Sequence, residues 1–431
     1  MTEKNWAGNH TYEATRLHKP ETLVQVQELV AAASKVKVLG TRHCFNDIAD
    51  FPGGDLISLE RLTGIRLDRE RRLVTVDGGV RYGELCEYLN REGFALHNMA
   101  SLPHITVAGA VATATHGSGV RNGSLSTAVS GLEIVTAGGE LVALSRLETS
   151  PQPSPWKGEG EAAGDRFAGA VVGLGALGVV SRLTLDVQPA YDMRQNVYEN
   201  LPMDAVAAHF DEIESSAYSV SLFTDWRGDV VNQVWLKSRV TDGAALSSNF
   251  FGATAASGPR SPLPNGDPLN CTGQMGVPGP WHDRLPHFKY GFQPSNGDEL
   301  QTEYFVPRRH TVAALGALAE LADRICDLLW ICEVRTIDAD DHWMSPCYQR
   351  ESVAFHFTWK SKWPEVRDLL PSIESALAPF DARPHWGKLF TMLPSRVQSL
   401  YPKLADFRQL VMEFDPEGKF RNPYLERYIF V

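Results

Sequence analysis

From Ala108 to Gly119 the chain reads AGAVATATHGSG, a run in which only one imidazole exceeds valine in size. A stretch so poor in side chains builds no core of its own, so its backbone must lie close against something else. Either it is a tightly packed buried loop, or its N–H groups approach an anionic ligand such as a pyrophosphate. The segment VLGTRHCFND, Val38 to Asp47, leaves the same two readings open. Neither is a dinucleotide-fold fingerprint. No GxGxxG follows a first strand with an acidic residue on the next, and GxxxxGKS/T is absent, so no Rossmann or P-loop phosphate site is implied.

Around these loops lies an ordinary globular chain of 431 residues, enough for two packed domains. With 43% hydrophobic and 22% charged residues it is neither disordered nor fibrous. A formal charge of −11 without a basic run argues against nucleic acid as a partner. The six cysteines form no CxxC pair and no HExxH occurs, so reduced thiols and no metal are expected. The polar start MTEKNWAGNH lacks a signal-peptide pattern, and the longest uncharged apolar run, Phe167 to Ser181, is too short to span a bilayer. A cytoplasmic protein with no membrane partner is expected.

Along the chain, PETLVQVQELVAAASK puts Leu23, Val26 and Val30 on one helical stripe before the alternating strand KVKVLG. LVTVDGGV and RYGELCEYLNREG repeat the strand and helix pattern, and LEIVT with ELVAL around Ala137-Gly138-Gly139 reads as a hairpin. Leu147 to Asp165, rich in proline and aperiodic, reads as a dispensable surface insertion. From about Ala190 the texture shifts to longer alternating strands (SVSLFTDW, NQVWL) and one long helix, TVAALGALAELADRICDLL. In WICEVRTI, alternation sets Trp330, Cys332 and Val334 against Ile331, Glu333 and Arg335. In VAFHFTWK it sets Val353, Phe355, Phe357 and Trp359 against Ala354, His356, Thr358 and Lys360. The polar sides are either a solvent-facing surface or a binding wall.

The strings GTRHCFN, NMASLPHITVAGAVATATHGSG, VVGLGALGVV and DPEGKFRNPYL resemble the FAD-dependent oxidases of the vanillyl-alcohol oxidase superfamily. Within it, NWAGN, SVSLFTDWR, GVPGPWHDRLPHF, CEVRT, AFHFTW and ARPHWGK look like the alditol (xylitol) oxidases. The resemblance implies an α+β, two-domain PCMH-type FAD-binding fold whose cap, or substrate, domain is built on an antiparallel sheet flanked by helices. The FAD-binding domain would cover residues 1–189 with 147–165 as insertion, the cap 190–389, and 390–431 would return to the FAD domain.

It also implies FAD bound covalently through His43, with Gly40, Thr41, Arg42 and Cys44 beside it. Arg42 stands where the family usually has glycine and Cys44 where it usually has serine. Arg42 is expected to pair with the FAD diphosphate. Further FAD contacts carried by the resemblance are Ser101, Gly109, Thr113, the run His116-Gly117-Ser118-Gly119, and Gly175, Gly178 and Val179. Ser101, Glu333, Arg335 and Thr358 coincide with polyol-binding positions, and Glu333 and Arg335 are expected to pair with each other. Lys388 and His356 are the candidates for the base or cation at the reacting oxygen. The implied reaction is oxidation of a terminal hydroxyl of xylitol- or sorbitol-like polyols to the aldose, with O₂ reduced to hydrogen peroxide, by a monomer that needs no metal. The alternatives are a sugar-lactone (aldonolactone) oxidase or dehydrogenase, and a non-catalytic carbohydrate-binding protein.

Overall fold

The computed structural model describes residues 3–146, 163–243, 249–264, 266–292 and 299–431. The predicted surface insertion therefore falls outside them up to residue 162. Its last three residues belong instead to a helix, Ala163–Val171, that buries Phe167, Ala170 and Val171. The loop reading ended too late because the apolar face of this helix begins only after Asp165.

The first part of the chain carries a three-stranded and a five-stranded sheet, besides a short pair of Phe94–Ala95 with Gln188–Pro189. Strands Arg16–His18 and Val36–Val38 flank Asp55–Ile57 in parallel. Strands Ile65–Asp68, Leu73–Asp77, Val179–Asp186, Val129–Val135 and Leu141–Ser145 form an antiparallel sheet in that spatial order. The predicted hairpin is the last pair. The predicted helices are Leu23–Ala32, with Val26 and Val30 buried, and Tyr82–Arg91, followed by Gly93 at φ 81°. The run Gly173 to Gly178 has GxGxxG spacing but leads from a helix into a strand, the reverse of the dinucleotide-fold order.

Beyond residue 190 a ten-stranded antiparallel sheet dominates. Its central strands are Val230–Arg239, Ser219–Thr224, Leu329–Ile337, Ser352–Lys360 and Glu299–Pro307, each hydrogen-bonded to the next. One face is apolar: Cys332, Val334, Val353, Phe355, Phe357 and Trp359 pack in one core with residues of helices Met203–Ser215, Thr311–Ala319 and Trp363–Leu377. Trp330 leaves this face. A register shift between Leu329 and Ile331 turns it outward, 38% exposed, where Lys360 lies over its ring. The predicted long helix is two, Thr311–Ala319 and Ala322–Leu328, because Leu321 makes only a tight bond back to Leu318 and restarts the ladder.

The register of the other face positions the site. Phe223 pairs with Glu333, Glu333 with His356, and His356 with Glu303, one row across four strands. The neighbouring row aligns Ile331, Thr358 and Gln301. Side chains two residues apart on a strand share a face, so Arg335, Glu333, Thr358, His356, Gln301 and Glu303 form one polar lattice.

The closing segment of the chain is bound to the first sheets by buried polar groups. Lys419 donates to the carbonyls of Val30 (2.8 Å) and Ala137 (2.7 Å). Asn422, fully buried, donates to those of Ile48 (3.0 Å) and Asp50 (2.6 Å). Each satisfies main-chain carbonyls that would otherwise be buried without partners.

Candidate active site

A cavity of about 820 Å³ runs between the first half of the chain and the polar face of the large sheet. One end is lined by Val38 to Phe45, Ala108 to Thr113 and Gly173 to Gly175 with Gly178. These loops touch: the Leu174 N–H donates to the Ala112 carbonyl (3.1 Å), and the buried Lys37 ammonium donates to the carbonyls of Gly175 (2.9 Å) and Phe420 (3.3 Å). Glycine is required where backbones close on one another. A Cβ on Gly178, at φ 137°, would meet the Val135 carbonyl at 2.3 Å, and one on Gly40 would meet Thr106 Oγ1 at 2.8 Å. Three residues with side chains also hold left-handed backbone in these loops: Arg42 (φ 64°), Ala114 (φ 54°) and Leu174 (φ 52°). Such strain persists only where the surroundings dictate it, and it collects at ligand clamps.

His43 lines the same end. Its ring stacks on Trp6 at 5.2 Å, Nδ1 lies 3.1 Å from Thr41 Oγ1, and burial pulls its pKa down to about 4, so the imidazole is neutral. A neutral ring nitrogen is a nucleophile; an imidazolium is not. Cys44 lines the cavity as a thiol, pushed up to about 11 by burial. Arg42 sits at the rim, but its exposed guanidinium pairs with Glu3 at 2.5 Å. The expected pairing with a diphosphate thus meets a competitor from the N-terminal segment.

Asn46 joins this loop to the other end of the cavity. Its amide donates to the carbonyls of Trp386 (2.8 Å) and Lys388 (2.7 Å), which brings Lys388 beside the His43 loop. There the lattice of the large sheet forms the wall, and Ser101, Glu333, Arg335, Thr358, His356 and Lys388 all line it. Arg335 donates to Ser101 Oγ (3.3 Å) and to Glu303 Oε1 (2.8 Å). The expected Glu333 and Arg335 pair is looser, 3.6 Å from Nε to Oε2, because each has a nearer partner: Glu303 for the guanidinium and His287 for the carboxylate, at 2.7 Å. Burial would raise the Glu333 carboxyl, but Arg335 and His287 hold it below the usual range.

Glu303, 2% exposed, is the hub that the sequence reading missed. Burial opposes its charge, but His116 Nε2 (3.1 Å), His356 Nδ1 (3.4 Å) and Arg335 hold it well below the usual carboxylate range. Gln301, which takes a hydrogen bond from Lys388, was missed as well. In ELQTEYFVP the polar residues Glu299, Gln301 and Glu303 alternate, so the rule that exposed Glu333 and Arg335 would have found them.

Four expected FAD contacts lie outside the cavity lining. Gly117 packs under the Met99 carbonyl, 2.3 Å from where its Cβ would be. Ser118 Oγ meets Ser221 Oγ of the large sheet at 3.1 Å, and the Gly119 N–H donates to the Thr336 carbonyl at 2.9 Å. Val179 points into a core cluster with Val135 and Ile57. The small residues from Gly117 to Gly119 thus serve a close seam between the halves, while His116 reaches the polar wall through Glu303. Among the described residues no cluster of three or more His, Cys, Asp or Glu is arranged to hold a metal ion, and no helix is long and apolar enough to cross a membrane.

A cavity with glycine-lined backbone at one end and a polar lattice at the other has room for a dinucleotide beside a small polar substrate. Its volume lies within the roughly 300–1,000 Å³ usual for ligand sites. Residues 14–145 match the profile of an FAD binding domain and residues 298–428 that of D-arabinono-1,4-lactone oxidase. An alditol oxidase from a Streptomyces strain is 45% identical over 98% of this chain and 97% of its own length. The L-gulono-1,4-lactone dehydrogenase of Mycobacterium tuberculosis is 26% identical over 99% of this chain and 98% of its own. The fold matches that of a cholesterol oxidase from B. sterolicum with a TM-score of 0.77 at 14% identity, over 99% of this chain and 96% of that one.

Arg42→Gly is expected to leave FAD content unchanged and to raise the unfolding free energy slightly. It relieves about 1 kcal/mol of left-handed strain and loses an exposed ion pair worth less than about 1 kcal/mol. Flavin retained through desalting at several salt concentrations measures the first outcome, and urea denaturation the second. Salt-sensitive loss of flavin would return Arg42 to the diphosphate. By its sequence and its fold the chain belongs to the alditol oxidase family of FAD-dependent oxidoreductases, within the vanillyl-alcohol oxidase superfamily.

Proposed function

We propose that the protein is an alditol oxidase that takes a terminal hydroxyl of xylitol- or sorbitol-like polyols to the aldehyde level. The observation that carries this reading is the polar lattice of Ser101, Glu333, Arg335, Thr358, His356 and Lys388 on one wall of the cavity that the His43 loop also lines. A polyol is a row of hydroxyls, each donor and acceptor, and a wall alternating carboxylate, guanidinium and hydroxyl satisfies it group by group. The loops around Gly40 to Cys44, Ala108 to Thr113 and Leu174 to Gly178 would hold FAD, which when bound would supply the hydride acceptor and the route for electrons to O₂.

The protein's own part is to bind the alcohol and manage its proton. His356, pulled by burial to about 4, is neutral at working pH, so its ring takes the hydroxyl proton. Nδ1 faces Glu303, which stabilises the ring once it is protonated, and Nε2 lies 3.3 Å from Thr358 Oγ1 on the cavity wall. Lys388, lowered by burial to about 8, is still mostly an ammonium at neutral pH and stabilises the developing alkoxide. The two candidates thus divide the work: His356 as base, Lys388 as cation.

Anaerobic addition of xylitol to the yellow protein should bleach the flavin band, and air should restore it with release of peroxide. Bleaching only by an aldonolactone would favour the lactone oxidase reading instead. His43 is the attachment point: after acid denaturation the flavin fluorescence should stay with the polypeptide and should leave it in His43→Ala. Flavin free in the supernatant of the wild type would exclude the linkage.

The pH profile separates the two roles. Lys388 is protonated below about 8, so its contribution is present at neutral pH and is lost as pH rises through about 8. kcat/KM should fall on that alkaline limb. Lys388→Met should remove the limb and lower kcat by about 10²- to 10³-fold. A limb that survives in Lys388→Met belongs to another group.

A further inference from the structure

Next to Glu333 the sheet encloses a lysine that does not itself reach the cavity. Lys237 is completely buried, and its Nζ meets three acceptors: the carbonyls of Leu285 (2.5 Å) and Pro286 (3.1 Å), and His287 Nδ1 (3.0 Å). The other nitrogen of that ring, Nε2, lies 2.7 Å from Glu333 Oε1. Lysine, imidazole and carboxylate therefore form one line, of which His287 and Glu333 face the cavity.

The protons along this line are fixed by its ends. Glu333 is ionised, so Nε2 must carry a hydrogen toward it. A neutral ring then presents a lone pair at Nδ1, which an ammonium with three N–H groups meets while satisfying both carbonyls. The opposite arrangement, a neutral amine accepting from an imidazolium, moves the proton to the weaker base. Burial lowers both groups, Lys237 to about 7 and His287 to about 4, and keeps the amine the stronger base. The other titratable or charged neighbours of Lys237 are Glu333, Cys271 and Arg335. Trp235 and Phe223 stand edge-on to the ring at 5.2 and 5.5 Å and hold its plane. The same loop supports Ser101, whose carbonyl accepts from the His287 N–H at 3.1 Å.

We infer that Lys237 is a positioning residue for the substrate site: its ammonium fixes His287 as the Nε2–H tautomer, and that ring aims the Glu333 carboxylate at the bound hydroxyls. The hydroxyl ligand rests on the polyol reading above, whereas the tautomer does not. Removing the ammonium leaves Nδ1 without its donor and takes away the cation that opposes protonation of the ring, so His287 becomes an imidazolium more readily and draws the Glu333 carboxylate to itself and away from the bound hydroxyls.

Imidazole ¹⁵N NMR of the holoenzyme, with His287 assigned by its loss in His287→Gln, should show a neutral ring protonated on Nε2. Lys237→Met should alter that pattern and raise KM for xylitol about tenfold, with kcat within about twofold. In His287→Gln the side-chain amide still donates to Glu333 and has no tautomer to set, so adding Lys237→Met should change KM by less than about twofold. Simple additivity, an Nδ1–H tautomer or an imidazolium in the wild type overturns the inference. If Lys237→Met is insoluble, the wild-type tautomer decides alone. The expected tautomer in a protein that turns over no polyol would refute the polyol reading and leave the lysine's role intact, read from the NMR change.

Discussion

Glu303 is a carboxylate with almost no access to water, and the cap sheet is arranged around satisfying it. Its partners come from three places: His356 on the neighbouring strand, Arg335 on the strand beyond that one, and His116 on a loop from the other half of the chain. A buried charge is tolerated only when its partners are in place, and removing one leaves the rest uncompensated. The convergence therefore fixes the strand register. A slip of one residue would turn Glu303 into the apolar layer of Phe355 and Phe357 and would expose that layer to the cavity. It fixes the docking of the two halves as well, since His116 reaches Glu303 only when the seam at Ser118 and Gly119 is closed.

That seam explains how one run of small residues serves two purposes. Ala108 to Thr113 lie along the cavity, where short side chains leave space for a cofactor. A few residues later Gly117 lies against the Met99 carbonyl, Ser118 Oγ meets Ser221 Oγ, and the Gly119 backbone bonds to the large sheet at Thr336. On one side of His116 the segment lines the cavity, and on the other it is a tightly packed loop. Backbone strain is found in the same region. Arg42, Ala114 and Leu174 adopt left-handed conformations, and the Leu174 loop is held in place by Lys37, which donates to the carbonyls of Leu174 and Gly175.

Electrostatically, the cavity wall is a set of charges that burial would suppress and neighbours restore. Glu303 stays ionised because His116, His356 and Arg335 surround it, Glu333 because Arg335 and His287 do, and burial keeps the imidazoles of His356 and His287 neutral. The result is a fixed alternation of donors and acceptors with little freedom to reorganise, the kind of preorganised environment that the proposed proton transfer requires.

By itself the sequence determined the local pattern. Alternation in WICEVRTI and VAFHFTWK separates a polar face carrying Glu333, Arg335, His356 and Thr358 from an apolar one, because side-chain direction in a strand follows from backbone geometry alone. The same arithmetic, applied to ELQTEYFVP, contained Glu303 and Gln301. What it could not reveal is that these three strands are neighbours in register, which brings Glu303 to His356 across residues far apart in the chain. Partner choice was likewise beyond it. Glu333 and Arg335, two residues apart, suggested mutual pairing, yet His287 and Glu303 stand nearer to each. Arg42 beside a small-residue loop suggested a phosphate partner, yet it pairs with Glu3. Local chemistry fixes which groups need partners and which way they point. Only the packing of strands and loops decides which partner arrives, because hydrogen-bond distance between residues remote in sequence is a property of tertiary structure.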